Sequence, residues 1–199
     1  MSDAPTAAPV PGRIRGSLLV HMRAHIEKKH GVLGWERVVS GVPAADRDPL
    51  AGLLITGAWY PVGLWNRAWR AYLGWSKADP AAAIQALAVL VADADLHTVF
   101  KLTLKHASPS QVVRRADWLW SRYVNVGTVT ILELAPNRFR VRLEAPTGED
   151  DGPSEAICAH GVPAWMTHAL TLSGAANATI EHARCRFTFS RHCEYRVSW

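Results

Sequence analysis

The spacing of apolar residues changes at Asn125, and this change limits the fold more than any other feature of the sequence. On its N-terminal side, apolar residues recur at three- and four-residue steps, which is the period of an α-helix. Asp79-Pro80 and Ser108-Pro109 each place a capping side chain before a proline, a common helix start. Pro43 and Pro49 predict a loop. The predicted helices cover residues 18–29, 33–40, 62–75 and 80 to about 106, and a shorter helix runs from Ser108-Pro109 through Trp120 or Tyr123.

Downstream of Asn125 the pattern is typical of strands. Residues 128–134 and 138–144 alternate in polarity or are β-branched, and Pro136-Asn137 between them predicts the turn of a hairpin. A helix over about 154–172 and two further strands, 178–189 and 193–198, complete the chain. The predicted fold class is therefore α+β, with an N-terminal helical layer packed on an antiparallel sheet made of two hairpins separated by a helix.

Alternation within residues 138–144 assigns a face of the sheet to each side chain of that strand. The apolar members are predicted to face the core: Phe139, Val141 and Leu143. The charged members are predicted to face water: Arg138, Arg140, Arg142 and Glu144. Such a strand belongs to a sheet with one covered face and one solvated face.

Length and composition suit one domain. The chain has 199 residues and 49% hydrophobic content, which is enough for one substantial core. Residues 1–12 are predicted to be a flexible tail, and residues 13–199 a single domain. The net charge of +5 is spread along the chain, so nucleic-acid binding is not expected. Without a signal-peptide pattern or an uninterrupted apolar run of about 18–20 residues, we expect no membrane span and a cytoplasmic location.

The three cysteines are the residues best suited to site chemistry. Cys185 and Cys193 flank a turn region, so their thiols can face each other across a hairpin, and Cys158 lies on the preceding helix. Three cysteines are too few for a disulfide scaffold. They can be metal-free core residues, or they can bind zinc, which needs a fourth ligand at a tetrahedral corner.

Two neighbouring residues compete for that fourth position. Glu181 stands four residues before Cys185, which places both side chains on one face of a strand. His182 stands three residues before it, on the opposite face unless a bulge intervenes, although three Cys and one His is the commoner zinc set. The predicted metal set is therefore Cys158, Glu181, Cys185 and Cys193, with His182 as the alternative to Glu181.

The C-terminal segment resembles that of a known family. Residues 185–199 contain a Cys, a turn, a second Cys and a final aromatic strand, an order that resembles the end of 4-vinyl-reductase-type (4VR) domains. Arg13-Ile14-Arg15-Gly16-Ser17-Leu18-Leu19 and Trp59-Tyr60-Pro61 resemble a family of unknown function, about 200 residues long, that is expanded in myxobacteria. The resemblance implies a 4VR-like α+β fold, shared with vesicle-tethering TRAPP subunits and related to haem nitric-oxide-binding domains.

The same resemblance implies a cofactor and a mode of action. Relatives are usually dimeric sensors, often of hydrophobic or aromatic compounds, and some hold structural zinc with three Cys and a Glu. In the family the acid stands three residues before the second Cys, where this chain has His182, and the Gly-Asp of the turn is Ser190-Arg191 here. Haem-binding relatives use a Tyr-x-Ser-x-Arg clamp, which no tyrosine of this chain begins, so no haem is expected.

A pocket between the helical layer and the sheet is predicted to be lined by aromatic residues. They are Trp59, Tyr60, Trp65, Trp69, Phe100 and Phe139. The predicted function is a sensor or effector domain for a hydrophobic or aromatic molecule, acting as a homodimer through a separate signalling protein. The alternative is a TRAPP-like interaction or dimerisation module without a ligand, with Trp118 and Trp120 as contact residues. No catalytic motif occurs, so an enzyme is not expected, and reductase activity has only superfamily analogy behind it.

Overall fold

The structure is a computed structural model that describes residues 11–98 and 107–199, and this part of the chain is an α+β fold. The helices are α1 (Gly16–His30), α2 (Val32–Gly41), α3 (Ala44–Ala51), α4 (Val62–Ser76), α5 (Pro80–His97), α6 (Pro109–Arg114), α7 (Ala116–Tyr123) and α8 (Val162–Leu172). The strands are β1 (Arg13–Arg15), β2 (Trp59–Pro61), β3 (Thr128–Ala135), β4 (Arg138–Glu144), β5 (Thr179–Arg184) and β6 (Cys193–Ser198). A π-helical turn, Ile157–Gly161, precedes α8.

Both predicted helix starts are confirmed. The Asp79 carboxylate accepts a hydrogen bond of 2.7 Å from the Ala82 N–H at the beginning of α5. Ser108 and Gln111 form a reciprocal capping box at the beginning of α6, so two backbone donors are satisfied there. The predicted continuation of α5 over residues 99–106 lies outside the described residues.

Two helices differ from the predictions. α3 occupies the segment for which the prolines predict a loop, because the fixed φ of Pro49 suits a helix and the side chain of Leu50 becomes fully buried. The single helix predicted over residues 108–123 is divided into α6 and α7. The division falls at Arg115, whose backbone leaves the helical region with φ −104° and ψ 12°.

The π-helical turn is a local consequence of Pro163. Proline has no N–H to donate to the carbonyl four residues earlier, so the helix loses one regular bond at this point. The N–H of Val162 instead reaches the carbonyl oxygen of Ile157, five residues back, and the turn widens. The wide turn contains Cys158 and leads directly into α8.

The four later strands form one antiparallel sheet in the order β3-β4-β6-β5, as two hairpins separated by a helix. On its covered face Ile131, Val141 and Tyr195 lie opposite one another across three strands. The alternation predicted for β4 holds on this face, where Phe139, Val141 and Leu143 are buried. On the other face Arg138 and Glu144 are exposed as predicted, whereas Arg140 and Arg142 are partly covered.

A second, two-stranded sheet joins the N-terminus to the centre of the chain. β1 pairs antiparallel with β2, and Ile14 lies opposite Tyr60. A Cβ atom at Gly16 would collide with the Ile55 carbonyl, so this close approach of two backbones requires glycine. No local pattern announces this pairing, because the two short strands are far apart in sequence.

Two hydrophobic clusters make up the core of the described residues. The first is formed by α1, α2, α4 and α5, and the second by the sheet with α6, α7 and α8. Trp120, Tyr123 and Trp165 pack against both clusters. α5 has the length and apolar composition of a membrane-crossing helix, and its residues Ile84, Leu87 and Val91 are buried in the first cluster.

Candidate functional site

An apolar cavity of about 150 Å³ lies where the two hydrophobic clusters meet. α4 and α5 line one side, and α6, α7, the π-helical turn and α8 line the others. Val141, Leu143 and Tyr195 of the sheet close the cavity. The wall is thus assembled from segments that are distant in sequence, and its described side chains are all apolar or aromatic.

A buried polar cluster adjoins the cavity at Tyr123. Burial raises the pKa of the Tyr123 hydroxyl, and the charge and hydrogen bond of Asp95 raise it further, so the phenol stays protonated. Asp95 is itself 6% exposed, and the ring of His21 lies 3.7 Å from its carboxylate. This cluster brings a hydrogen-bonded phenol to an otherwise apolar wall.

Among the indole N–H groups of the cavity wall, those of Trp65 and Trp69 are buried without an acceptor among the described residues. Their side chains are 5% and 4% exposed. A buried donor without a partner is unfavourable. Each of these two N–H groups could therefore donate a hydrogen bond to an acceptor brought into the cavity, and that bond would be favourable.

The structure brings together two of the six residues predicted to line a pocket. Trp65 and Trp69 line the cavity. The Trp59 ring instead lies under the Arg15 guanidinium at 4.2 Å, and the Tyr60 hydroxyl accepts the Ile55 N–H at 2.9 Å. The remaining two are away from the wall or outside the described part: Phe139 stacks on Trp199 at 5.6 Å, and Phe100 lies in the undescribed segment 99–106.

Several lining residues carried no sequence signal that separates a cavity wall from a core. Trp120, considered above as an exposed contact residue, lines the cavity, and its indole donates to the Val126 carbonyl at 2.8 Å. Trp118 is half-buried beneath the Arg122 guanidinium, 4.8 Å away. Trp165 of α8 also lines the cavity. A helical period indicates that such residues face inward, but not whether the space before them is filled.

The predicted metal-binding residues are only partly brought together. The ligand atoms of His182, Cys185 and Cys193 lie within 4.8 Å of one another. Glu181 is exposed on the outer face of the sheet, where it accepts hydrogen bonds of 3.4 Å from Arg196. A register shift in β5 between His182 and Arg184 moves His182 to the side of the thiols, so strand parity fails there.

Cys158 approaches the other thiols, but a cation stands among them. The Arg186 guanidinium donates to the Cys158 thiol at 2.6 Å and lies 3.6 Å from the Cys193 thiol. Arg186 is 5% exposed and also donates to the Pro153 carbonyl. A permanent positive charge between two thiols opposes a second cation at the same place.

Comparison with known proteins identifies the fold as that of H-NOX proteins. No protein-family model and no curated protein matches the chain. The Fe(II) unliganded H-NOX protein from K. algicida matches with a TM-score of 0.69 at 9% identity, over 93% of this chain and 96% of that chain. The H-NOX protein from S. oneidensis in the Fe(II)NO ligation state matches with a TM-score of 0.66 at 11% identity, over 93% and 98%.

A third solved structure comes from a study of haem distortion in the H-NOX family. It matches with a TM-score of 0.67 at 5% identity, over 94% of this chain and 95% of that chain. At such identities the likeness concerns the fold alone. The predicted kinship with 4VR domains, TRAPP subunits and the myxobacterial family is wrong, because the matching structures are H-NOX proteins. The zinc cofactor inferred from that kinship is therefore wrong as well.

The expectation of no haem is wrong as an inference from kinship, since the matching fold is found in proteins described with Fe(II) and haem. No described residue of the cavity wall is a histidine, a cysteine or a charged side chain. Among the described residues, the wall thus offers neither a nitrogen ligand for iron nor a cation for a propionate, so these residues by themselves do not fit the group.

Proposed function

We propose that this chain is a sensor domain that binds a small apolar molecule in the cavity between its two hydrophobic clusters. The observation that carries the proposal is the cavity wall, whose described side chains are all apolar or aromatic. A cavity of about 150 Å³ with such walls stays dry and accepts a molecule the size of benzene. The fold supports a sensor, because it matches an H-NOX protein described with bound NO.

The position of the cavity provides a route for a signal. α5 forms part of its wall and packs against α1 in the first cluster, while α8 forms another part and packs against β5 in the second. A ligand that prefers one arrangement of the two clusters shifts the population toward that arrangement. We further propose that the change is passed to a separate signalling protein from a homodimeric, cytoplasmic form of the chain.

Thermal unfolding with benzene and with indole tests the binding step. A ligand present at a hundred times its Kd adds about 2.7 kcal/mol to the free energy of unfolding. For a domain of this size, the unfolding temperature should rise by about 5–10 °C. Calorimetric titration with the same two compounds gives the stoichiometry, which should be one molecule per chain.

Two variants of α5 test whether the ligand binds in the cavity. Ala88 lines the cavity, whereas Ala86 is exposed on the same helix, so Ala88→Leu and Ala86→Leu make the same chemical change inside and outside it. Ala88→Leu should abolish the shift because it fills the space, and Ala86→Leu should retain it. Equal shifts in both variants, or none in the wild type, would overturn the proposal. Stoichiometric uptake of haemin with a Soret band that Ala88→Leu removes would replace the ligand class by haem.

A further inference from the structure

Cys158, Cys185 and Cys193 form a thiol cluster next to the buried positive charge of Arg186. Arg186 is 5% exposed, and its guanidinium donates to the Cys158 and Cys193 thiols and to the carbonyl oxygen of Pro153. No carboxylate of the described residues forms an ion pair with it. Because a buried guanidinium is costly without an anion, the surrounding thiols are the groups placed to supply one.

The Arg186 guanidinium lies beside both buried thiols, and the hydrogen bond between them favours the thiolate on Cys193. The Cys193 sulfur accepts a hydrogen bond from the Cys158 thiol and lies 3.5 Å from the backbone N–H of Arg186. The Cys158 hydrogen bond is the largest influence that lowers the pKa of Cys193, to about 4, and the backbone and charge of Arg186 act in the same direction. The pKa of Cys158 is correspondingly raised, so Cys158 keeps its proton and donates it.

Cys185 connects this buried thiolate to solvent. Cys158 and Cys193 are fully buried, whereas Cys185 is only half-buried. Arg184 pairs with Glu194, so Cys185 and Cys193 come next on the two adjoining strands, and their sulfur atoms lie within 4.8 Å of each other. Directly opposed residues of antiparallel strands have Cα atoms about 4.5–5.5 Å apart, a separation that a disulfide can span.

We propose that Cys185 and Cys193 form a thiol pair that exchanges with small-molecule disulfides such as glutathione disulfide, with Arg186 as the positioning residue for Cys193. Cys185, the thiol that reaches solvent, gives its proton to water, and the Cys185 thiolate attacks one sulfur of the small disulfide. The disulfide bond of the small molecule breaks, a mixed disulfide forms on Cys185, and one glutathione thiolate leaves.

The second step closes the pair. The first glutathione thiolate takes up a proton from water, and the Cys193 thiolate attacks the sulfur of Cys185. A Cys185–Cys193 disulfide forms and the second glutathione leaves as a thiolate that takes up a proton from water. Overall, two protein thiols are oxidised and one glutathione disulfide is reduced to two glutathione molecules.

Intact-mass measurement of the reduced full chain after incubation with glutathione disulfide tests the sequence of steps. The wild type should lose two hydrogen atoms, and peptide mapping should place the bond between Cys185 and Cys193. Cys193→Ser should stop at the mixed disulfide and gain one glutathionyl group on Cys185. Cys185→Ser should form neither the internal disulfide nor a mixed disulfide with glutathione, because its remaining thiols are buried. Cys158→Ser keeps a hydroxyl donor beside Cys193, so it should still form the Cys185–Cys193 bond, although at a changed rate.

The role of Arg186 has its own readout in the pH profile of the exchange rate. Arg186→Gln should slow exchange at neutral pH about tenfold or more and move the profile to higher pH, because less thiolate is present. Arg186→Lys should recover part of the rate, which a purely structural role would not predict. A Cys158–Cys193 bond in Cys185→Ser, an unreactive wild type, or a stoichiometric metal ion that blocks exchange would each overturn the proposal.

Discussion

The Tyr195 hydroxyl donates a hydrogen bond of 3.0 Å to the carbonyl oxygen of Cys158. Tyr195 belongs to β6 and lines the apolar cavity, whereas Cys158 belongs to the π-helical turn and to the thiol cluster. Both residues are buried, so the bond is formed away from water. It therefore ties the sheet to the widened turn at the point where the cavity and the thiols adjoin.

Replacing Tyr195 by Phe should destabilise the protein by about 1–3 kcal/mol, because the buried Cys158 carbonyl loses its donor. Urea unfolding followed by circular dichroism gives the change. Tyr60→Phe is the matched control, since its hydroxyl accepts the Ile55 N–H at an exposed position where water can replace it. Equal losses in the two variants would show that burial of the bond is unimportant.

A second prediction concerns Glu194, whose carboxylate lies 3.1 Å from Arg142 and 3.5 Å from Arg140. Burial alone raises the pKa of Glu194, but the Arg142 hydrogen bond and the charges of Arg140 and Arg142 outweigh it, so the pKa lies below its ordinary value of 4.5. A lowered pKa in the folded state stabilises the protein above about pH 4.5. That stabilisation disappears as the pH falls through the lowered value.

Glu194→Gln cannot titrate, so its unfolding free energy should fall furthest below that of the wild type near neutral pH. The gap should narrow steadily below pH 4.5, and urea unfolding between pH 3 and 7 measures it. Glu144→Gln, at an exposed position on the same face of the sheet, is the control. A gap that stays constant over this range would contradict the ion-pair assignment.

Local signals in the sequence predicted much of the fold. The caps at Asp79 and Ser108 act within one helical turn, and the alternation in β4 reports burial residue by residue, so each can be read without knowing the rest of the chain. The pairing of Ile14 with Tyr60 depends on residues far apart, and no local rule contains it.

The site was harder to predict for the same reason. Cys185 and Cys193 adjoin across one hairpin, which their spacing indicates, but the position of Arg186 among the thiols depends on a turn whose shape the spacing leaves open. The side of the sheet taken by His182 follows from a bulge rather than from strand parity. The cavity is harder still to predict from local patterns, because Trp69, Val141 and Trp165 come together only when both hydrophobic clusters have formed.

The turn of the first hairpin gives a third prediction. Asn137 has a φ of 58°, in the left-handed region that asparagine tolerates and β-branched residues do not. Asn137→Val should lower stability by about 1–2 kcal/mol, and Asn137→Gly should be close to neutral. Thermal unfolding of both variants beside the wild type measures the effect. A Val variant as stable as the Gly variant would mean that this turn adopts another conformation.

A fourth prediction concerns Asn66 of α4, which is 6% exposed and holds the loop that precedes the π-helical turn. Its amide donates to the carbonyl oxygens of Glu149 at 2.8 Å and Gly152 at 2.9 Å, and its oxygen accepts the Ser154 N–H at 3.2 Å. Asn66→Ala removes all three bonds and should cost about 2–4 kcal/mol.

Asn66→Asp separates the donor role from the size of the side chain. A carboxylate at this position would direct negative charge at two carbonyl oxygens, so the variant should be destabilised at pH 7 at least as much as Asn66→Ala. Protonation at pH 4 restores one donor and should recover part of the loss. Asn177→Ala, at an exposed site, should change stability by less than about 0.5 kcal/mol. Because the loop carries Pro153, which contacts both Arg186 and the cavity, Asn66→Ala should also speed proteolysis at residues 147–153. An unchanged cleavage rate would show that the loop is held by its other contacts.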